Sequence, residues 1–272
     1  MAQGLDTHGV HLHVGLPWRD GEGTSTVTHA LLFAAAALIV GFSKTSIGGL
    51  ATISVAIFAS LMPARESTAA LLLILIVGDL VAVWHYRHDC DWGLLRRLIP
   101  AVLPGLGLGA LFLAVVDDTL LRRSIGAMLL ALAGIQLWLR TRGDETGAAV
   151  RSRAHSRPAS LVAGLAAGFT TMTANAAGGV MTLYFTAQGV RKMRFLGTGA
   201  CLFLGVNLCK LPLSAALGLF TADALRRTVL LAPLVLLGAW AGLHAARRLS
   251  QTRFDVTVLA ATALSAVALL VR

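Results

Sequence analysis

Lys44 stands among three hydroxyl side chains, Ser43, Thr45 and Ser46, in the segment Gly41-Phe-Ser-Lys-Thr-Ser-Ile-Gly-Gly49. That segment interrupts a stretch that is otherwise apolar from 28 to 62. A second segment, Gly168-Phe-Thr-Thr-Met-Thr-Ala-Asn-Ala-Ala-Gly-Gly179, interrupts the stretch from 159 to 189 in the same way. A helix starting near 47–49, at Gly48 and Gly49, would present free backbone N–H groups with partial positive charge. A cation, hydroxyls and amides together describe a site for an anion. The competing reading is a lysine that snorkels to water from short helix arms. In the second segment Thr170, Thr171, Thr173 and Asn175, before Gly178, replace the lysine with neutral donors for an oxyanion. The same side chains would also satisfy backbone groups freed at the break, and the two roles are compatible.

The elements that must position these residues are membrane helices. The chain of 272 residues is 56% hydrophobic and only 13% charged, with mean hydropathy +0.76, whereas soluble domains carry about a quarter charged residues. A polytopic membrane protein is expected. The net charge of +10 does not indicate nucleic acid, because Lys and Arg cluster at the ends of apolar runs, where they set topology. Runs long enough to span a bilayer occur at 67–86, 98–116, 121–140, 195–218, 229–246 and 254–271. The two interrupted stretches divide into arms of about 14 residues, about 21 Å each and too short to cross. Irregular backbone at that depth survives only where it lines a cavity or is buried in protein, and a matching pair of Gly-interrupted segments points to a transporter's binding site.

The halves on either side of the Arg-rich segment 141–158 match one another. Gly41-Phe42 aligns with Gly168-Phe169, Gly48-Gly49 with Gly178-Gly179, and Leu94-Leu-Arg-Arg97 with Ala224-Leu-Arg-Arg227, which reads as an internal duplication. The expected organisation is a polar tail over 1–28, a first repeat over 29–140, a cytoplasmic linker over 141–158 and a second repeat over 159–272. If each broken stretch returns to the side it entered, fourteen basic residues lie inside against seven outside. If each crosses, the division is twelve against nine, so the positive-inside rule favours the returning arrangement. Three full spans and one returning hairpin per half make the expected fold an all-α inverted repeat, the usual basis of alternating access.

Two further charges lie inside apolar runs, Lys210 with the nearby Asn207 in one and Asp79 in another. Alignment of the halves places Asp79 opposite Cys209, one residue from Lys210. Either the two form a buried ion pair, or Lys210 faces substrate while Asp79 handles a proton or orients a helix. His85, His88, Asp89 and Cys90 read as an interfacial face rather than a metal site, and Trp84, Tyr86 and Trp92 as an aromatic belt. His8, His11 and His13 sit in the polar tail, which lacks the pattern of a signal peptide. Pro100, Pro104, Gly105, Gly107 and Gly109 suit a kink and close helix contact. Gly-Phe-Ser-Lys-Thr lacks the glycine spacing of a nucleotide-binding loop. No nucleophile–base set or metal cluster repeats at membrane depth, so an enzyme is not expected, nor a cofactor or metal.

Taken together, these motifs resemble the TauE/SafE sulfite exporter family, also called the TSUP family, over about 30–271. The resemblance is carried by both Gly-flanked segments, Pro63-Ala-Arg-Glu66, Gly78-Asp79 with Val83-Trp84, and Asp91-Trp92. It implies a secondary transporter of the bacterial cytoplasmic (inner) membrane that exports small sulfur anions such as sulfite, thiosulfate or organosulfonates. Uptake of a related organic anion and a passive anion channel remain as alternatives. The partners expected are a small anion and the lipid bilayer, with a homodimer left open and nucleic acid excluded. The first break is less glycine-dense than the family's form, with Lys44-Thr45-Ser46 within it, so the substrate can differ from sulfite.

Overall fold

The computed structural model describes residues 23–46, 50–141, 153–248 and 250. Among the described residues the regular structure is helical, without strands. In chain order the helices are α1 (Gly23–Thr45), α2 (Ala51–Leu61), α3 (Ala64–Tyr86), α4 (Trp92–Val115) and α5 (Asp118–Thr141) in the first half. The second half holds α6 (Arg157–Ala174), α7 (Ala177–Ala187), α8 (Lys192–Ala216) and α9 (Ala222–Arg248). Among the described residues, five segments are long and apolar enough to cross a membrane: Val27–Thr45, Ala64–Asp89, Trp92–Val115, Lys192–Ala216 and Ala222–Arg248. The expected run 254–271, the tail up to residue 22, and Gly48 and Gly49 lie outside the described residues.

Most helices begin before their apolar runs. At α4 the Asp91 carboxylate accepts from the Leu94 N–H at 3.0 Å, an N-cap that draws Arg96 and Arg97 into the first turns. The interrupted stretches depart further from expectation, because their arms are unequal. α1 has 23 residues against 11 in α2, and α6 has 18 against 11 in α7. The hydroxyls explain why. Thr45 Oγ1 donates to Gly41 O at 3.2 Å, Ser46 Oγ to Phe42 O at 2.6 Å, Thr170 Oγ1 to Ala166 O at 2.7 Å and Thr173 Oγ1 to Phe169 O at 2.9 Å. Each folds back on its own helix and shields its polarity there, so α1 and α6 continue into the polar segments, to Thr45 and Ala174. α6 ends only at Asn175, which takes the left-handed conformation (φ 53°), one that Asn tolerates better than most side chains.

After each break the chain lies back along the helix it came from. Ser54 Oγ donates to Ala36 O at 2.9 Å, and Phe58 stacks edge-on against Phe33 at 5.0 Å. In the second half the Ser160 and Tyr184 hydroxyls meet at 2.7 Å.

The halves interleave. α1 packs most extensively on α9, and α6 on α4. Bare glycines permit these crossings: a Cβ on Gly41 would stand 1.9 Å from Val235 O, and one on Gly168 2.2 Å from Val102 O. The partner helices carry the same spacing, Pro100, Gly105 and Gly109 in α4 and Pro233, Gly238 and Gly242 in α9. In both, the two glycines form the small-xxx-small pattern of close membrane-helix contact. A Cβ on Gly238 would meet Leu38 O at 2.1 Å, and one on Gly105 would meet Leu165 O at 2.4 Å, whereas Gly107 faces open space. Trp84 and Trp92, 77% and 60% exposed, suit the aromatic belt. Tyr86 does not: it is buried and donates its hydroxyl to Thr45 O at 2.8 Å, holding the end of α1.

Candidate functional site

Packing of α1 and α6 against the other half aims the two breaks at the crossing of α3 and α8. Lys44, in the last turn of α1, reaches past Gly78, where a Cβ would lie 3.0 Å from its Cγ. Its Nζ stands 2.7 Å from Asp79 Oδ1 and 4.7 Å from the centre of the Phe203 ring. The other carboxylate oxygen of Asp79 accepts from Asn207 Nδ2 at 2.6 Å. Lys210 Nζ, one turn further along α8, donates to Thr171 O at 2.7 Å and to Asn175 Oδ1, with Thr171 Oγ1 at 3.4 Å and Asn207 Oδ1 at 3.5 Å. Asn175 Nδ2 in turn donates to Thr68 O at 3.0 Å on α3. One buried polar chain thus joins both breaks and both central helices.

Asp79 and Lys210 are fully buried, Asp79 beside a counter-charge and Lys210 beside neutral oxygens, and burial of either group is costly unless hydrogen bonds replace its water. The amides make this possible. Each gives its N–H to an acceptor on α3 and turns its oxygen toward Lys210, so neither is in conflict with its neighbours.

Beside this chain lies a small cavity of about 40 Å³. Ser43, Lys44 and Ala51 line it from the first break, and Thr171, Asn175, Ala177 and Gly178 from the second. α8 supplies the long wall, with Leu196, Gly199, Ala200, Phe203 and Asn207 on one helical face. The wall extends from Asn207 to Phe195, about 18 Å, toward the end of the bundle where Lys192 begins α8. Ala51 opens α2, and Ala177 and Gly178 open α7, so two helix N-termini border the same space. Ser43 Oγ accepts one of these amides, Ala51 N–H, at 3.0 Å. An ammonium and two helix starts border this one space, the kinds of group with which proteins bind anions.

The structure sorts the residues singled out in the sequence. Ser43, Lys44, Thr171, Asn175, Gly178 and Asn207 share the cavity. Thr45, Ser46 and Thr173 hold backbone carbonyls instead, Thr45 also bridging to Ala239 O of α9 at 2.8 Å. Lys210 lies behind the wall, separated from the cavity by Asn207 and Asn175. The direct ion pair expected as one arrangement of Asp79 and Lys210 is absent among the described residues. Asp79 pairs with Lys44, because the end of α1 enters between α3 and α8, and Asn207 fills the gap to Lys210. Phe203 was not singled out in sequence, and Gly78 and Tyr86 were read only as part of the family pattern and of an aromatic belt. The stripe at 196, 199/200, 203 and 207 is legible as a helical face, but nothing local marks it as facing a cavity rather than lipid.

His88, Asp89 and Cys90 line a separate surface cavity of about 1000 Å³ with Arg191, Lys192 and Arg194. Burial, and then the neighbouring Cys201 thiol, push the Cys90 thiol up to about 12, so it keeps its proton at neutral pH.

Residues 33–269 match the model of a family described as Sulfite exporter TauE/SafE. No curated protein and no solved structure matches the chain.

Proposed function

The chain belongs to the sulfite exporter TauE/SafE family of membrane transporters, and on that premise we propose that it exports small sulfur-containing anions through the cavity between its two breaks. The candidates are sulfite, thiosulfate and organosulfonates. The observation that carries this reading is the convergence of Lys44 and the starts of α2 and α7 on one cavity. Ser43, Lys44, Thr171, Asn175, Gly178 and Asn207 are the substrate contacts. Thr45, Ser46 and Thr173 stabilise the helix ends that carry those contacts. Asp79 and Lys210 position Lys44 and the two amides.

The architecture in this reading is an inverted repeat, with one returning hairpin in each half. The swapped pairing of α1 with α9 and α4 with α6, and the shared proline–glycine spacing of α4 and α9, support it. With the linker in the cytoplasm, as the basic residues suggest, the cavity extends toward the cytoplasmic end of α8. Substrate then loads from inside, and an inside-negative potential favours anion export by about 2.3 kcal/mol per charge per 100 mV. The layer formed by Lys210, Asn175 and Thr68 caps the deep end of the cavity. A capped cavity suits a carrier better than a continuous pore.

The test is efflux from proteoliposomes loaded in turn with sulfite, thiosulfate, sulfoacetate and taurine. Saturable efflux of one of them, accelerated by the same anion on the far side, is expected. Conductance far above carrier turnover would remove the carrier. Absence of flux for every sulfur anion would remove the substrate class.

A further inference from the structure

Granting that the cavity takes sulfur anions, we infer that its occupant carries a single negative charge, and that Lys210 sets this number without touching the cavity. Three ionisable side chains share the buried polar chain: Lys44, Asp79 and Lys210. Asp79 is placed as a carboxylate, with an ammonium 2.7 Å from one oxygen and an amide N–H 2.6 Å from the other. Lys210 is placed as an ammonium. Its neighbours are the Thr171 carbonyl and hydroxyl and the oxygens of Asn175 and Asn207. Both amides have committed their N–H groups elsewhere, to Thr68 O and Asp79 Oδ2, so three protons on Nζ meet oxygen acceptors. Lys44 and Asp79 cancel. The charge on Lys210 is left over, with no carboxylate within ion-pair distance among the described residues.

Asn207 and Asn175 each bind Lys210 and also line the cavity, so that surplus charge is one amide away from the occupant. An unbalanced buried charge is costly, and neutralising it favours binding. A monoanion brings the count to zero. A dianion replaces a surplus positive charge with a surplus negative one.

The experiment is calorimetric titration of purified protein with methanesulfonate and methanedisulfonate at constant ionic strength, alongside nitrate and sulfate. Methanesulfonate is expected to bind at least about tenfold more tightly than methanedisulfonate. Asp79→Asn raises the count by one and should move the preference toward the disulfonate. Lys210→Met lowers it by one and should weaken methanesulfonate by about tenfold or more. Combining the two substitutions restores the original count and, with it, the preference for methanesulfonate. A purely structural Lys210 predicts no such recovery. Equal or tighter binding of methanedisulfonate by the unmodified protein overturns the charge inference and leaves the sulfur-anion reading standing. If neither sulfonate binds but nitrate does, the sulfur-anion reading fails, and nitrate tighter than sulfate still supports the charge inference. Binding of none of the four removes both.

Discussion

At the first break the cation is Lys44, on the helix that ends there, and its carboxylate, Asp79, is on the neighbouring long helix α3. At the second break the cation is Lys210, on the long helix α8, and the break offers only neutral oxygens from Thr171 and Asn175. The contact is the same, a long central helix reaching the end of a shorter one, but the charge has moved to the other partner. What keeps the contact constant is backbone packing. Gly41 and Gly168 seat α1 and α6 against the opposite half at equivalent places, which brings each break to the central crossing whatever side chains it carries. The charges then differentiate the halves, so one break faces the cavity with an ammonium and the other with an amide.

The largest expected effect separates the two cations. Lys44→Ala leaves Asp79 buried without its counter-ion, a loss of about 3–5 kcal/mol, visible as a lower melting temperature in detergent, together with loss of anion binding. Adding Asp79→Asn should return most of the stability and none of the binding. A double variant that bound sulfonates normally would take Lys44 out of the site. Lys210→Met should cost less, about 1–3 kcal/mol, because it strands uncharged oxygens rather than a carboxylate. Equal losses for the two lysines would erase the proposed difference between the breaks.

The shared scaffold is tested next. Gly41→Ala and Gly168→Ala each push a methyl into a facing carbonyl and should destabilise similarly, by about 1–3 kcal/mol. Gly107→Ala, which faces open space, serves as the control for a small residue in the same kind of helix. If one crossing tolerates alanine and the other does not, backbone packing is not the common term. The smallest effect belongs to Phe203→Leu. Losing the ring over Lys44 should weaken anion binding by about twofold to thirtyfold, as a cation–π contact of about 0.5–2 kcal/mol implies, with little change in melting.

Much of this protein was legible in order of residue type alone. Hydropathy marked α3, α4, α5, α8 and α9, since twenty apolar residues in a row need no partner to declare where they belong. The polar segments at 41–49 and 168–179 declared that something must line a cavity or be buried. Lys44, Asn175 and Asn207 followed from their cost at that depth. Arm length was misjudged, because a Ser or Thr hydroxyl can bond the carbonyl one turn back. A polar run therefore does not mark where a helix stops.

Which charges meet was beyond sequence. Asp79 faces Lys44 rather than Lys210 because α1 is seated on α9 by glycines some two hundred residues from one another along the chain, and no local pattern reports that crossing. The sequence by itself determined the membrane class, the two breaks and the polar side chains they hold, since solvation and helix period act on neighbours in the chain. Only the tertiary structure decided which hydroxyls serve the backbone, which residues share the cavity, and that Lys210 lies behind it. Those outcomes depend on how helices cross, and a crossing is set by shape complementarity between segments far apart in sequence.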